Sequence, residues 1–187
     1  MGVVIKMAAM VAVLCLILLF QANLVQTQSL CVDGSHLVRY VSENGSNAPS
    51  CLNALTPDQA KSNPCRTITY ALLEEEMPGV VYADYCNYSS TPDNLCVRLE
   101  DGIYKTSGEL QVTRTANLII EAVNPGQAIL QCSTFPNLVP RQWDDLNFFC
   151  SENVAVNGLV IEHRGPVGSG IYCYLTNSIE FVDCIFR

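Results

Sequence analysis

The sequence predicts an all-β fold, a parallel β-helix entered through an amino-terminal cap that holds one short α-helix. Three observations carry this expectation. From Leu110 onward the chain is written as short strands, LQV, NLIIEAV, AILQC, NFFC, NVAVNGLVIEH, GIYCYL and NSIEFVDCIFR, separated by Asn, Gly and Pro. Within them apolar residues alternate, as a strand with one buried face requires. The text also repeats. Val154, Val156, Leu159 and Ile161 match Ile179, Phe181, Cys184 and Phe186 at a shift of 25 residues, the two pieces of each copy being joined by Asn157-Gly158 or Val182-Asp183. A third piece, Phe148-Phe149-Cys150, matches Ile171-Tyr172-Cys173 at a shift of 23. Three strands in roughly two dozen residues is the period of one β-helix coil, and stacked coils set like side chains about 4.8 Å apart in ladders.

Asn117, Asn153 and Asn177 stand just ahead of strand runs and suit the bends, because the short Asn side chain tolerates left-handed backbone. The gap from Asn117 to Asn153 is 36 residues against 24 for the next, and the loop at 133–145, STFPNLVPRQWDD, is the inserted length. An antiparallel sandwich is the alternative. It ranks second because Asn157-Gly158 separates strand pieces of only three residues, too short for a hairpin.

Residues 1–27 read as a signal peptide. Lys6 precedes an uncharged run of fourteen residues at 7–20, MAAMVAVLCLILLF, with polar text after it. That run matches a signal h-region and is shorter than the ~20 residues a bilayer span needs. Ala22 and Thr27 both offer cleavage points, and an uncleaved anchor that recruits Val3 to Ile5 is the competing reading. Residues 28–109 form the cap, in which turn-rich blocks such as ENGSNAPS, LTPDQAKSNP and NYSSTPDN surround short strands at 39–42 and 96–104. One segment there reads as a helix, 67–76, TITYALLEEE, with Ile68, Ala71 and Leu72 on one face at i, i+3 and i+4. Residues 110–187 are the first coils, open at the carboxyl end: Ile179, Phe181, Cys184 and Phe186 face a core without a further layer, whereas solenoids close on a polar capping repeat. Downstream coils of the same protein are therefore expected, with self-association of the open end in their absence.

Secretion decides how the cysteines are read. Of the ten, Cys15 leaves with the signal and nine remain, which in an oxidising compartment favours disulfides. Cys51 with Cys65, and Cys86 with Cys96, each close a short loop and are the expected pairs. Cys150 and Cys173, 23 residues apart in strand text, are at a spacing that allows either a disulfide or a ladder of buried thiols; the ladder is preferred for Cys132, Cys150, Cys173 and Cys184, which leaves Cys31 over. There is no CxxC pair, and neither His36 nor His163 stands at zinc-ligand spacing from two cysteines, so no metal or cofactor is expected. Asn44-Gly45-Ser46 and Asn87-Tyr88-Ser89 are sequons in polar, turn-rich text, which makes Asn44 and Asn87 glycosylation sites on a secreted chain. With Asp plus Glu at 18 against Lys plus Arg at 10 and no basic run, nucleic acid and anionic membrane are excluded as partners. A cell-surface or extracellular protein or glycan remains.

Two passages of the cap, YVSENGSNAPSCLN and NPCRTITYAL, resemble the opening of the pectin-lyase-like, right-handed parallel β-helix proteins. There an extended stretch, a cysteine pair and a short helix precede the coils. VRLEDGIYKTSGEL is similar to the element that follows in that class, an apolar strand, an Asp-Gly turn and a Tyr, and NVAVNGLVIEH and NSIEFVDCIF resemble its coil text. The resemblance runs from about Arg39 to the last residue and is nearest to large secreted or surface β-helix proteins. It implies a right-handed coil whose first turn is covered by the helix at 67–76.

Many members of that class cleave acidic polysaccharides with a calcium-binding carboxylate group or a pair of carboxylates. Glu121, Asp144, Asp145, Glu152, Glu162, Glu180 and Asp183 are the residues available for such a role. Asp144-Asp145 is the one adjacent pair and lies in the inserted loop beside Trp143. Glu162-His163-Arg164 precedes Gly165-Pro166 and reads as turn decoration, VGSGIY at 167–172 lacks the GxSxG spacing, and there is no GxGxxG or P-loop. No catalytic residue is assigned. The expected function is a non-catalytic extracellular β-helix scaffold or a recognition and adhesion module, the front part of a longer protein. The alternative is the amino-terminal part of a polysaccharide lyase or glycoside hydrolase whose active coils lie beyond residue 187.

Overall fold

The computed structural model describes residues 29–31, 34–53, 56–72, 91–106, 110–133, 146–164 and 171–187. Residues 1–27, read as a signal peptide, residues 73–76 of the expected helix, Cys86, the Asn87 sequon and Trp143, Asp144 and Asp145 lie outside them. The described chain is mostly β, with parallel sheets and a few short helices. Strand β1 (Leu37–Val41) comes first, then helices α1 (Pro49–Leu52), α2 (Pro57–Ser62) and α3 (Ile68–Leu72). Eleven strands follow: β2 (Leu95–Leu99), β3 (Gly102–Thr106), β4 (Leu110–Thr113), β5 (Ile119–Ala122), β6 (Ala128–Ser133), β7 (Leu146–Phe149), β8 (Glu152–Asn157), β9 (Val160–Arg164), β10 (Ile171–Tyr174), β11 (Asn177–Val182) and β12 (Ile185–Phe186).

The strands form three sheets, ordered β1-β2-β5-β8-β11, β3-β6-β9-β12 and β4-β7-β10. After β2 the chain visits them in rotation, and every named pairing is parallel. Val154 pairs with Ile179, Val156 with Phe181, Val160 with Ile185 and Ile161 with Phe186, which is the 25-residue shift read in the sequence. The third strand piece corrects that reading. Cys173 pairs with Phe148 and not with Cys150, so the shift there is also 25. The reason is that Cys150 is a corner residue with φ 51°, and the residue at the equivalent corner is Leu175 with φ 49°.

The corners ahead of the five-stranded sheet use the Asn chemistry expected, in a different register. Asn94, Asn117 and Asn153 take left-handed backbone at φ 54°, 58° and 52°, and Ser178, not Asn177, holds the next corner at φ 60°. Asn177 pairs with Glu152 one step earlier. The three Asn side chains stack, Asn117 Nδ2 donating to Asn94 Oδ1 at 2.9 Å and Asn153 Nδ2 donating to Asn117 Oδ1 at 3.1 Å. This satisfies side chains that the tight bend leaves without a local partner.

One buried cluster joins all three sheets through Val97, Leu99, Ile120, Val156, Leu130, Ile161, Leu110 and Phe148, among others. Ile68, Ala71 and Leu72 of α3 belong to it, which is the face read for the cap helix. Thr67 starts α3, its Oγ1 accepting from Tyr70 N at 3.2 Å. Arg39 lies beneath, buried, its Nη1 donating to the Ala71 carbonyl at the end of that helix. A cation suits the carbonyl end of a helix, while its burial lowers the guanidinium pKa. Helices α1 and α2 correct the expectation of a single helix. Each begins with Pro directly after its cap residue, Pro49 after Ala48 and Pro57 after Thr56, and Thr56 Oγ1 accepts from Gln59 N. Proline at the first helical position starts a helix as well as it marks a turn. At the other end Leu175, Ile185 and Phe186 are exposed, at 71%, 51% and 51%.

Candidate functional site

Along β1, β2 and β5 the five-stranded sheet is buried on both faces. Its inner face belongs to the central cluster, and its outer face carries a second one formed by Val38, Tyr40, Cys96 and Ile119 with Cys31 and Ala60 packed over them. Strand pairing explains what lies there. Tyr40 is opposite Arg98, Arg98 opposite Glu121, and Glu121 opposite Asn157, so four polar-tipped side chains make one row across β1, β2, β5 and β8. The segment Ser29–Cys31 crosses this row.

Glu121 is the centre of it. Its carboxylate is 1% exposed and accepts from Ser29 Oγ at 2.7 Å and from Leu30 N at 2.9 Å. Arg98 Nε stands 2.9 Å from Glu121 Oε1, an ionic approach without the alignment of a hydrogen bond. The Arg98 guanidinium also lies over the Tyr40 ring at 5.6 Å from its centroid, and its Nη1 donates to Tyr40 Oη at 3.2 Å. Among buried polar atoms, Asn157 Oδ1 has no hydrogen-bond partner. A carboxylate whose two oxygens already hold a hydroxyl, an amide and a guanidinium is a structural anchor.

A disulfide fixes the same segment. Cys31 is bonded to Cys96 in β2, 65 residues away. This corrects the expected pairing of Cys96 with Cys86: Cys96 points to the outer face beside Val38 and Ile119, where the amino-terminal segment passes, and Cys31 is accordingly not left over. Cys51 and Cys65 form the second disulfide, closing the 14-residue separation between α1 and α3. Cys150 is disulfide-bonded as well, so it is not a buried thiol of a ladder. Cys173 is a free thiol and exposed, because β10 is the last strand of its sheet. Cys184 is free and half-buried, its Sγ set against the Val156 carbonyl at 3.4 Å. Burial raises both thiol pKa values, for Cys184 with a smaller push from Asp183 and against backbone N–H groups. Cys132 lies in β6 opposite His163, and its side chain is outside the described residues.

Asn44 is exposed in a turn, and Gly45 beside it packs on the backbone of Pro64 and Cys65 so closely that a Cβ there would clash with it. Among the described residues the other candidate carboxylates do not assemble. Glu162 accepts from Gln131 Nε2 at 2.6 Å on the adjacent strand, Glu180 is opposite Ala155, and Glu152 opposite Asn177. Glu162-His163-Arg164 continues β9 and does not decorate a turn. A polar groove of about 640 Å³ runs along the corners between Asp93, Arg114, Cys150 and Glu152. Sequence reasoning missed Ser29, Tyr40 and Arg98. One signal could have found the ion pair: Arg98 and Glu121 interrupt apolar strands at a spacing of 23, the spacing also of Asn94 and Asn117 and of Asp101 and Asn124.

Three groups here have metal-ligand chemistry. The sulfurs of Cys31 and Cys96 and a carboxylate oxygen of Glu121 lie within 4.8 Å of one another. In the disulfide the sulfurs are not thiolates and do not serve as ligands. No family model, no curated protein and no solved structure matches this chain.

Proposed function

We propose that the three parallel sheets are the faces of a right-handed parallel β-helix of the pectin-lyase-like class, and that the chain works as a non-catalytic extracellular scaffold or recognition module. The observation that carries the reading is the rotation of the chain through the sheets, each return laying a new strand parallel to the previous one. Such crossovers between parallel strands are right-handed in about 98% of cases, which supports the right hand. Stacked Asn corners and a cluster common to all sheets support the same architecture. Disulfides suit an oxidising compartment, and no helix among the described residues is long and apolar enough to cross a membrane. The polar row on the outer sheet is consumed in holding Ser29–Cys31, so binding falls to other surfaces.

The test sets turnover against capture. The full chain, produced through a secretory host, is incubated with polygalacturonate and other acidic polysaccharides and assayed for new reducing ends and for unsaturated products. It is also applied to an array of extracellular glycans and matrix proteins. Saturable capture without product is expected. Product formation above the buffer control would overturn the non-catalytic reading.

A further inference from the structure

We propose that β10, β11 and β12, each the last strand of its sheet, form a two-fold interface with a second copy of this chain, docked end to end. Much of what the described surface leaves open is gathered here. Tyr174, Leu175, Ile185 and Phe186 are four of the six exposed large hydrophobic residues among the described ones, and the free thiols Cys173 and Cys184 lie at the same end. Strand edges with apolar side chains beside them are a template for pairing with another chain.

The opposite edges are already engaged. Cys65 bridges Val41 of β1, its N–H donating to the Tyr40 carbonyl and its carbonyl accepting from Ser42 N. On β3, Glu43 Oε1 accepts from Ile103 N at 2.6 Å, and α3 packs across β1, β2 and β4. Head-to-tail stacking of copies is thereby blocked. Like end meets like end, and such an assembly closes at two.

Backbone polarity selects the register. Turning one copy over about a two-fold axis makes facing strands antiparallel, and backbone groups alternate sides along a strand. Ile185 and Arg187 donate to the Leu159 and Ile161 carbonyls, so the N–H and C=O of Phe186 point outward. The Val182 carbonyl accepts from Gly158 N and the Tyr174 carbonyl from Cys150 N, so those of Phe181 and Cys173 point outward too. An axis through the corner between Asp183 and Cys184 sets Phe181 opposite Phe186 of the second copy, and their open backbone groups exchange hydrogen bonds. The neighbouring positions then match as well. Phe181 and Phe186 lie 5.5 Å apart within one chain, so four rings meet; Val182 faces Ile185; and exposed Glu180 faces exposed Arg187, an opposite-charge pair made twice per dimer. With the axis at that corner, β10 is the side left to meet itself. Centred on its outward backbone, Cys173 faces Cys173 at a Cα separation of ~5.5 Å, within disulfide reach.

The experiment uses the full chain from a secretory host, followed by sedimentation equilibrium over a concentration series. Monomer and dimer without larger species are expected. Glu180→Arg should weaken the dimer about tenfold, and Glu180→Arg/Arg187→Glu should bring it back to within about threefold of the original. Diamide takes up two thiol hydrogens as a sulfur–sulfur bond forms, so it should make the dimer covalent through Cys173 to Cys173, read by peptide mass spectrometry. Cys173→Ser should stay non-covalent, and Cys184→Ser should cross-link as before. In dilute single chains Cys173 keeps its exposure, and its alkylation should slow ~10-fold as the dimer forms. A chain that stays single at every concentration, leaving these edges to a further segment or a different protein, would overturn the proposal. So would assemblies that keep growing with concentration, or a charge reversal that fails to restore association.

Discussion

Asn117 tests the corner architecture most sharply, because it combines a backbone demand with a side-chain demand. Its φ is 58°, and its amide both donates to Asn94 at 2.9 Å and accepts from Asn153 at 3.1 Å. Asn117→Ala removes two hydrogen bonds worth about 0.5–1 kcal/mol each in an exposed position. It also places a Cβ-bearing residue without a local side-chain bond in the left-handed region, which costs roughly 1–2 kcal/mol. The sum is ~2–4 kcal/mol. Asn117→Gly loses the same bonds but tolerates the backbone, so it should cost only about 1–2 kcal/mol. The difference between the two variants isolates the backbone contribution. Urea unfolding followed by far-ultraviolet circular dichroism measures both, and the slope of each transition checks that the unfolded reference has not changed. If alanine and glycine destabilised equally, the left-handed corner would carry no weight. If neither moved the midpoint, the stacked Asn side chains would be ornament.

Removing the Cys51–Cys65 bond by Cys51→Ser/Cys65→Ser should cost ~3 kcal/mol for a separation of 14 residues, and an unchanged urea midpoint would contradict that. Tyr104 Oη donates to the Val41 and Glu100 carbonyls, and burial, followed by Glu100, Glu43 and Asp101, raises its pKa. Because the folded value lies above the unfolded one, near 10, this contribution is complete below about pH 10 and is lost as pH rises toward the folded value. Tyr104→Phe should therefore flatten the alkaline limb of the stability profile, and an identical limb in both proteins would refute it. In the native chain a thiol reagent should modify exposed Cys173 before half-buried Cys184, with rates still climbing past the ordinary thiol range near pH 8.5. A plateau below that range, or the reverse order, would count against the described surfaces.

Strand content was legible because each strand carries its own alternation, and the 25-residue shift was legible because apolar residues recur at matched steps. Val154 with Ile179 and Ile161 with Phe186 needed only local text. The errors came where a residue's role depends on backbone sign. Phe149 and Cys150 look like successive strand residues, yet the chain turns left-handed at Cys150, and an alignment by residue type then slips. Ser178 shows the same limit: a corner equivalent to three Asn corners is held by a residue that sequence alone assigns to turns only weakly. Helices α1 and α2 were hidden because each is little more than one turn, started by a proline that reads equally as loop punctuation.

The outer-face site was illegible for a different reason, which bears on how cysteines should be read in stacked parallel sheets. Pairing by short loops assumes that local closure dominates, and it is reasonable for Cys51 and Cys65. In a stacked fold, however, residues distant in sequence are brought onto one face by register, and a disulfide forms where two chain paths cross. Cys31 meets Cys96 across 65 residues, and Ser29 meets Glu121 across 92. Once strands return every 23 to 25 residues, the informative distance is the position modulo the repeat. Arg98 and Glu121 are 23 apart and therefore neighbours, and an acid-base pair at that spacing inside apolar strand text marks a face that something must cover. The segment ending in Cys31 is that cover, so the amino-terminal residues are part of the sheet's stability and more than a leader into it.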